Sequence, residues 1–126
     1  MIIVGLTDIH GDTKQLSNIS ADLSKADVVV VSGDLTHFGR QADAARVVQA
    51  LQKYNKNLLA VPGNCDRPEV STYLTNEGIN LHRNCIVKDK IAFLGVGGSL
   101  PCPGMTPNES SEAEIESFLD EAAAEI

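Results

Sequence analysis

The stretch VVVVSGD, residues 28–34, is the most informative part of the chain for its architecture, because four valines in a row end in a polar turn. Valine is β-branched and favours strands. A strand without polar alternation is typical of a parallel sheet that is covered on both faces. Two similar apolar runs occupy residues 2–6 and 58–61. We therefore predict three parallel strands that are buried on both faces.

Helical patterns separate these three runs. In the first, Leu16, Ile19 and Leu23 share one face, and the spacing of Asp12 and Gln15 predicts a capping box at the helix start. The second lies between Gly39 and the Asn-Lys-Asn break at 55–57. Its apolar stripe consists of Ala44, Ala45, Val48 and Leu51. The order β-α-β-α-β predicts an α/β fold in which a parallel sheet is built by two right-handed crossovers.

The second half of the chain is less regular. Residues 67–77 predict a short helix that ends at Gly78, and residues 84–87 and 91–96 predict a hairpin around the polar turn 88–90. After a Gly/Pro-rich loop, Thr106 and Glu109 have the spacing of a capping box, so we predict that the last helix begins near Thr106 and Pro107. Its apolar stripe consists of Ile115, Phe118, Leu119 and Ala122.

Composition excludes several classes of protein. With 126 residues and 43% hydrophobic residues, the chain fits one folded domain, and no apolar run reaches the roughly 18 residues of a membrane span. The N-terminus lacks the features of a signal peptide, and three cysteines without zinc spacing favour a reducing cytoplasm. The net charge of −7 arises entirely after residue 108, and the neutral remainder has no basic stripe, so we expect no strong nucleic-acid binding.

Polar side chains follow each of the three predicted strands. Asp8-Ile9-His10 comes after the first, Gly33-Asp34 after the second and Gly63-Asn64-Cys65-Asp66 after the third. Because the carboxyl ends of parallel strands meet at one edge of the sheet, we expect Asp8, His10, Asp34 and Asn64 to converge. Two carboxylates, an imidazole and an amide oxygen suit Mn, Fe or Zn. The sequence therefore predicts a metal site.

The three motifs, D-x-H, G-D and G-N-C-D, resemble those of the calcineurin-like metallophosphoesterase family, in particular small bacterial and archaeal members related to cyclic-nucleotide phosphodiesterases. The resemblance covers about residues 1–100 and implies half of a four-layer αββα sandwich. It implies that Asp8 and His10 bind one metal, that Asp34 bridges two, and that Asn64 binds the second. The implied cofactors are two divalent ions, with manganese expected and iron, zinc or nickel as alternatives. The implied reaction is in-line attack of an activated water on a phosphate ester.

The sequence departs from the family pattern in two ways. Cys65 stands where many members have the histidine that protonates the leaving group; it is either a catalytic residue or a small buried residue beside the site. The family's three later histidines have no counterpart, since His82 matches neither of their motifs. We therefore expect residues 1–126 to be the N-terminal portion of a metallophosphoesterase domain. Asp66 is either a residue that orients a histidine ligand or a turn residue, and His37 either packs in its loop or faces substrate.

Two hypotheses of function follow. In the first, the parent protein is a cytoplasmic phosphoesterase that acts on a small phosphomonoester or phosphodiester, with Asp34, Asn64, Cys65 and Asp66 as the candidate catalytic residues. In the second, the chain is a non-catalytic metal-binding or scaffold module of the same fold. A nucleotide-binding module is disfavoured because no glycine-rich phosphate loop follows the first strand. The apolar face of the last helix leaves homo-oligomerisation open.

Overall fold

The computed structural model describes residues 1–126, and a three-stranded parallel sheet forms its centre. The strands are β1 (Ile3–Leu6), β2 (Val28–Ser32) and β3 (Leu58–Val61), in the order β1-β2-β3. Val4 lies opposite Val29, and Val31 lies opposite Ala60. An antiparallel hairpin of β4 (Asn84–Lys88) and β5 (Ile91–Gly95) follows. This confirms the predicted mixed α/β fold with a parallel sheet and a hairpin.

The helices connect these strands. A 3₁₀ segment, Lys14–Ile19, leads into α1 (Ser20–Lys25), which is followed later by α2 (Gln41–Gln52), α3 (Pro68–Asn76) and α4 (Glu112–Ala123). None of the helices has the length and apolar character needed to span a membrane.

The main core lies between the parallel sheet and α2 and α3. Val47, Val48 and Leu51 of α2 are buried against Val29 and Val31 of the central strand. Each such side chain contributes about 1.5–3 kcal/mol by leaving water. A smaller cluster on the other face joins the sheet to the hairpin and includes Val28, Leu59, Leu81 and Phe93. Burial on both faces is therefore confirmed for β2 and β3.

The prediction of two buried faces is wrong for β1. Ile3 is 47% exposed, and Ile2 just before the strand is 56% exposed, because the hairpin covers β2 and β3 only: the cluster beneath it includes no residue of β1. Its residues alternate between exposed and half-buried positions.

The capping box predicted for Asp12 and Gln15 is not formed. Asp12 Oδ1 instead accepts a hydrogen bond from the Lys14 amide at 3.1 Å, and the Gln15 side chain bonds to Asn18 at 2.6 Å. An aspartate that accepts from the amide two residues on closes an Asx turn, whereas a capping box needs a bond to the amide three residues on. The chain accordingly enters α1 through a 3₁₀ segment.

The last helix begins at Glu112 rather than near Thr106. Ser111 is its N-cap: Ser111 Oγ accepts from the Glu114 amide at 3.1 Å, and Glu114 Oε1 accepts from the Ser111 amide at 2.9 Å. Thr106 and Glu109 do bond to each other, but they lie in the loop before the helix. Asn108 is bonded to the loop after β3, and this contact keeps the segment out of the helix.

Candidate metal centre

Backbone hydrogen bonds join the three loops at the carboxyl edge of the sheet. The Asp8 amide donates to the Gly33 carbonyl at 3.2 Å, and the His10 amide donates to the Asp34 carbonyl at 2.9 Å. The loop after β2 is joined in turn to the loop after β3, because the Phe38 amide donates to the Cys65 carbonyl at 2.9 Å. The three motifs therefore form one surface.

Their side chains converge on that surface. His10 Nε2 lies 3.3 Å from Asp8 Oδ1 and 3.9 Å from Asp34 Oδ2. Asp34 Oδ1 accepts a hydrogen bond from the Cys65 amide at 2.9 Å. One ligand atom each from His10, Asp34 and Cys65 lies within 4.8 Å of the others. The structure thus brings Asp8, His10, Asp34 and Cys65 into one cluster.

The backbone of this cluster is strained. Asp8, His10 and Asp34 have φ values of 56°, 50° and 52°, in the left-handed region that non-glycine residues rarely adopt. Such conformations persist where surrounding contacts enforce them, and they concentrate at functional sites. Here the hydrogen bonds between the loops are those contacts, and the sharp turns direct three ligand-type side chains to one point.

Gly63 makes room for the Asp34 carboxylate. A Cβ at position 63 would overlap Asp34 Oδ1 and lie 2.6 Å from Asp34 Cγ. Position 33 is also restricted, though by less overlap: it has a φ of +90°, and the Gly63 Cα would lie 3.0 Å from an added Cβ. The two glycines therefore let the loops after β2 and β3 approach closely enough for Asp34 to lie between them.

Asp66 is fully buried and holds these two loops together. Its carboxylate accepts four hydrogen bonds, from the Leu35 amide at 3.1 Å, the Gly63 amide at 2.7 Å, and the Thr36 amide and hydroxyl at 2.9 and 2.6 Å. It makes no hydrogen bond to a histidine. Of the two roles left open by the sequence, this geometry fits the turn residue, because all four bonds go to the turns after β2 and β3.

The electrostatics of the cluster favour a bound cation. Burial raises the pKa of Asp34, and its contact with the Asp8 carboxyl raises it further. The Thr7 hydroxyl, which donates to Asp8 Oδ2 at 2.7 Å, lowers the pKa of Asp8. Burial and the nearby Asp34 carboxylate raise the pKa of the Cys65 thiol. A divalent cation would stabilise both adjacent carboxylates in their charged form, so the residues fit a metal bound by oxygen and imidazole.

Asn64 is positioned by the loop before α4. Its carbonyl accepts from the Asn108 amide at 3.1 Å, and its Nδ2 donates to Thr106 Oγ1 at 3.3 Å. The amide oxygen accepts no hydrogen bond from the protein, which leaves it available as a ligand atom. Sequence reasoning missed this contact, because the spacing of Thr106 and Glu109 indicates only their bond to each other and not a partner 42 residues away.

The two remaining histidines lie outside the cluster of ligand atoms. The His37 ring packs edge-on against His10, at 5.5 Å between centroids, and against Phe38, at 4.8 Å. These three rings line a cleft of about 250 Å³. His82 packs against Phe118 of α4, and its Nδ1 accepts from the Gly97 amide at 2.8 Å.

The fold and the site together define an α/β protein with a carboxylate and histidine cluster at the carboxyl edge of a parallel sheet. The chain belongs to the calcineurin-like phosphoesterases, whose family model matches residues 1–123. The family is metal-dependent.

Two known proteins extend this comparison. The chain is 42% identical over 115 residues to the uncharacterized protein MJ1162 of Methanocaldococcus jannaschii; the match covers 91% of the chain and 51% of MJ1162. The chain therefore spans about half the length of that relative. The crystal structure of TT1561 of Thermus thermophilus is similar with a TM-score of 0.77 at 19% identity, over 95% of the chain and 61% of TT1561. This second likeness concerns the fold.

Proposed function

We propose that the protein is a phosphoesterase which hydrolyses a small phosphomonoester or phosphodiester at a dinuclear metal centre. The observation that supports this most directly is the position of Asp34. One of its carboxylate oxygens is held by the Cys65 amide at 2.9 Å, and the other faces His10 Nε2 at 3.9 Å. A carboxylate shared in this way between two loops suits a bridging ligand.

The proposed roles follow the positions of the side chains. Asp8 and His10 would hold one metal, Asp34 would bridge both, and Asn64 would hold the second through its amide oxygen. Two divalent ions, when bound, would grip the phosphate oxygens and lower the pKa of a water molecule. Manganese is the metal that we expect, with iron, zinc or nickel as alternatives. Residues 1–126 would form the N-terminal portion of the phosphoesterase domain.

Cys65 and Asp66 would serve the site in different ways. The Cys65 thiol lies beside Asp34 and would donate a hydrogen bond to the leaving oxygen. Because a thiol is a weak donor, we expect a preference for esters with good leaving groups. Asp66 would act indirectly, since its four hydrogen bonds fix the loops that present Asp34 and Asn64.

The cleft beside His10 is the proposed place for the organic part of the ester. Phe38 is 40% exposed there and has a φ of 58°. Its backbone is fixed because its amide donates to Cys65 and its carbonyl accepts from Arg67 Nε at 2.9 Å. A small substituent would fit a cleft of about 250 Å³. His37 would then face substrate rather than only pack in its loop.

The experiment that tests the proposal combines calorimetric titration with manganese and hydrolysis of a generic aryl phosphodiester by the full-length protein. Asp34→Asn should lower the activity more than any other conservative change, because it weakens the ligand of both metals. Asn64→Asp should be milder because an oxygen ligand remains. Asp89→Asn, in the hairpin turn, is the matched control and should leave both measurements unchanged. Activity of Asp34→Asn near that of wild type at saturating manganese would refute the bridging role.

A non-catalytic metal-binding or scaffold module is the second candidate. It is favoured by one observation: His10, Asp34 and Cys65 form the one group of three or more histidine, cysteine or acidic ligand atoms that converge. Such a set suits one metal better than two. In that case the chain would bind a single manganese ion, and the full-length protein would not hydrolyse the diester.

A further inference from the structure

The loop between β5 and α4 is attached to the loop after β3. The Gly98 amide donates to the Pro62 carbonyl at 2.9 Å, and the Asn108 amide donates to the Asn64 carbonyl at 3.1 Å. The Asn108 side chain adds a third bond, from Nδ2 to the Gly63 carbonyl at 3.2 Å. Both ends of the segment 98–108 are therefore fixed to the backbone that presents the Asn64 side chain.

Three side chains in this contact form a directed series of hydrogen bonds. Glu109 Oε2 accepts from both the amide and the hydroxyl of Thr106, at 2.5 and 2.6 Å. Thr106 Oγ1 in turn accepts from Asn64 Nδ2 at 3.3 Å. Hydrogen bonding to Thr106 lowers the pKa of Glu109, which is consistent with an ionised carboxylate.

The direction of this series determines which end of the Asn64 amide is held. A carboxylate can only accept, so the single hydroxyl hydrogen of Thr106 is used on Glu109. Thr106 Oγ1 then offers only lone pairs to Asn64. The amide nitrogen can bond to these lone pairs, whereas the amide oxygen would be repelled by them. The oxygen is therefore left on the side away from Thr106.

We propose that Thr106 and Glu109 are positioning residues that fix the orientation of the Asn64 amide and so present its oxygen to the metal. The inference rests on the proposed function, in which Asn64 is a ligand. Side-chain amides bind such cations through their oxygen, so a flipped or mobile Asn64 would be a poor ligand. The alternative is that Thr106 and Glu109 only stabilise their own loop.

A double-mutant cycle measured by calorimetric titration with manganese separates these roles. Thr106→Val keeps the shape of the side chain but removes the hydroxyl, and Thr106→Ser restores it. Partners that orient metal ligands typically affect metal affinity by about 10- to 100-fold, and we expect Thr106→Val to weaken binding by roughly tenfold, at the lower end of that range. Thr106→Ser should bind manganese as wild type does. Glu109→Gln should give intermediate weakening, because a Gln amide can donate to the hydroxyl as well as accept from it.

The effect of Thr106→Val on manganese affinity is then measured in the Asn64→Ala variant. A purely structural role of Thr106 would give the same loss whether or not Asn64 is present. If Thr106 acts through Asn64, Thr106→Val should cause no further loss of manganese affinity in Asn64→Ala. An equal loss in both backgrounds, or wild-type affinity of Thr106→Val, would overturn the inference. Far-ultraviolet circular dichroism of each variant checks that it is folded. If Asn64→Ala and Asp34→Asn both bind manganese as wild type does, the metal site itself is wrong, which is a distinguishable result.

Discussion

The Asp34 carboxylate occupies the space that a side chain at Gly63 would need. The two residues belong to different loops, and the Cys65 amide, which follows Gly63 closely in sequence, donates to Asp34 Oδ1 at 2.9 Å. Their contact places the candidate bridging ligand within the loop that carries Asn64. The absence of a side chain at position 63 is thus a condition for the geometry of the whole cluster.

Gly63→Ala should therefore disrupt both the fold and the cluster. The added methyl group overlaps Asp34, and overpacking of this kind costs about 1–3 kcal/mol of unfolding free energy. Urea denaturation measures this loss, and manganese titration should show weakened binding. Gly5→Ala is the matched control, because an added Cβ there meets no atom within 4 Å. Wild-type behaviour of Gly63→Ala would show that the loops can separate without cost.

Asp66→Asn should lower stability more than an exposed substitution of the same kind. The four donors around Asp66 all require an acceptor, and an amide presents an NH₂ group to some of them. The cost of leaving buried donors unsatisfied is about 1–3 kcal/mol. Asp120→Asn on the exposed face of α4 is the control. If Asp66→Asn kept wild-type stability in urea and lost only hydrolytic activity, a direct catalytic role would replace the structural one.

The stability of the chain should fall as the pH is lowered through the usual range of histidine. Burial lowers the pKa of His82, and the neighbouring Arg83 lowers it further, while Glu121 opposes them. The unfolded chain therefore binds a proton more readily than the folded chain does. The stability that comes from keeping His82 neutral is fully present above the ordinary histidine pKa of 6.5. It is lost as the pH falls towards the lowered pKa of His82 in the folded state. Protonation would also remove the acceptor for the Gly97 amide.

Urea denaturation at about pH 7.5 and about pH 5.5 checks this expectation. His82→Asn keeps a side-chain acceptor but does not titrate in this range, so its stability should depend less on pH than that of wild type. An unchanged pH dependence in His82→Asn would mean that another group is responsible.

The exposed edge of β1 should promote self-association of the isolated chain. Ile3 is 47% exposed on a strand whose outer edge is unpaired, and such edges tend to pair with other strands. Ile3→Lys should reduce association in sedimentation velocity. Val87→Lys, at an exposed apolar residue of the hairpin, is the control. Equal association of both variants and wild type would exclude the β1 edge as the contact.

Local sequence was enough to predict the strands of the central sheet and the position of the motifs. The valine run at β2 and the similar run at β3 predict buried parallel strands, because continuous apolar residues bury both faces of a strand. The polar residues that follow must then lie at one edge, since parallel strands end on the same side. Asp8, His10 and Asp34 could be grouped on this ground alone.

The way in which these side chains are held could be known only from contacts between distant parts of the chain. The exposure of β1 depends on which strands the hairpin covers, and that is β2 and β3 but not β1; local sequence does not encode this placement. The spacing of Thr106 and Glu109 fits a helix cap as well as a loop contact, and Ser111 and Glu114 have the same spacing. The hydrogen bonds of Asn108 to the loop after β3 keep Thr106 and Glu109 in a loop, so the helix starts after Ser111 instead. Here the bonds between residues distant in sequence outweigh a local capping preference.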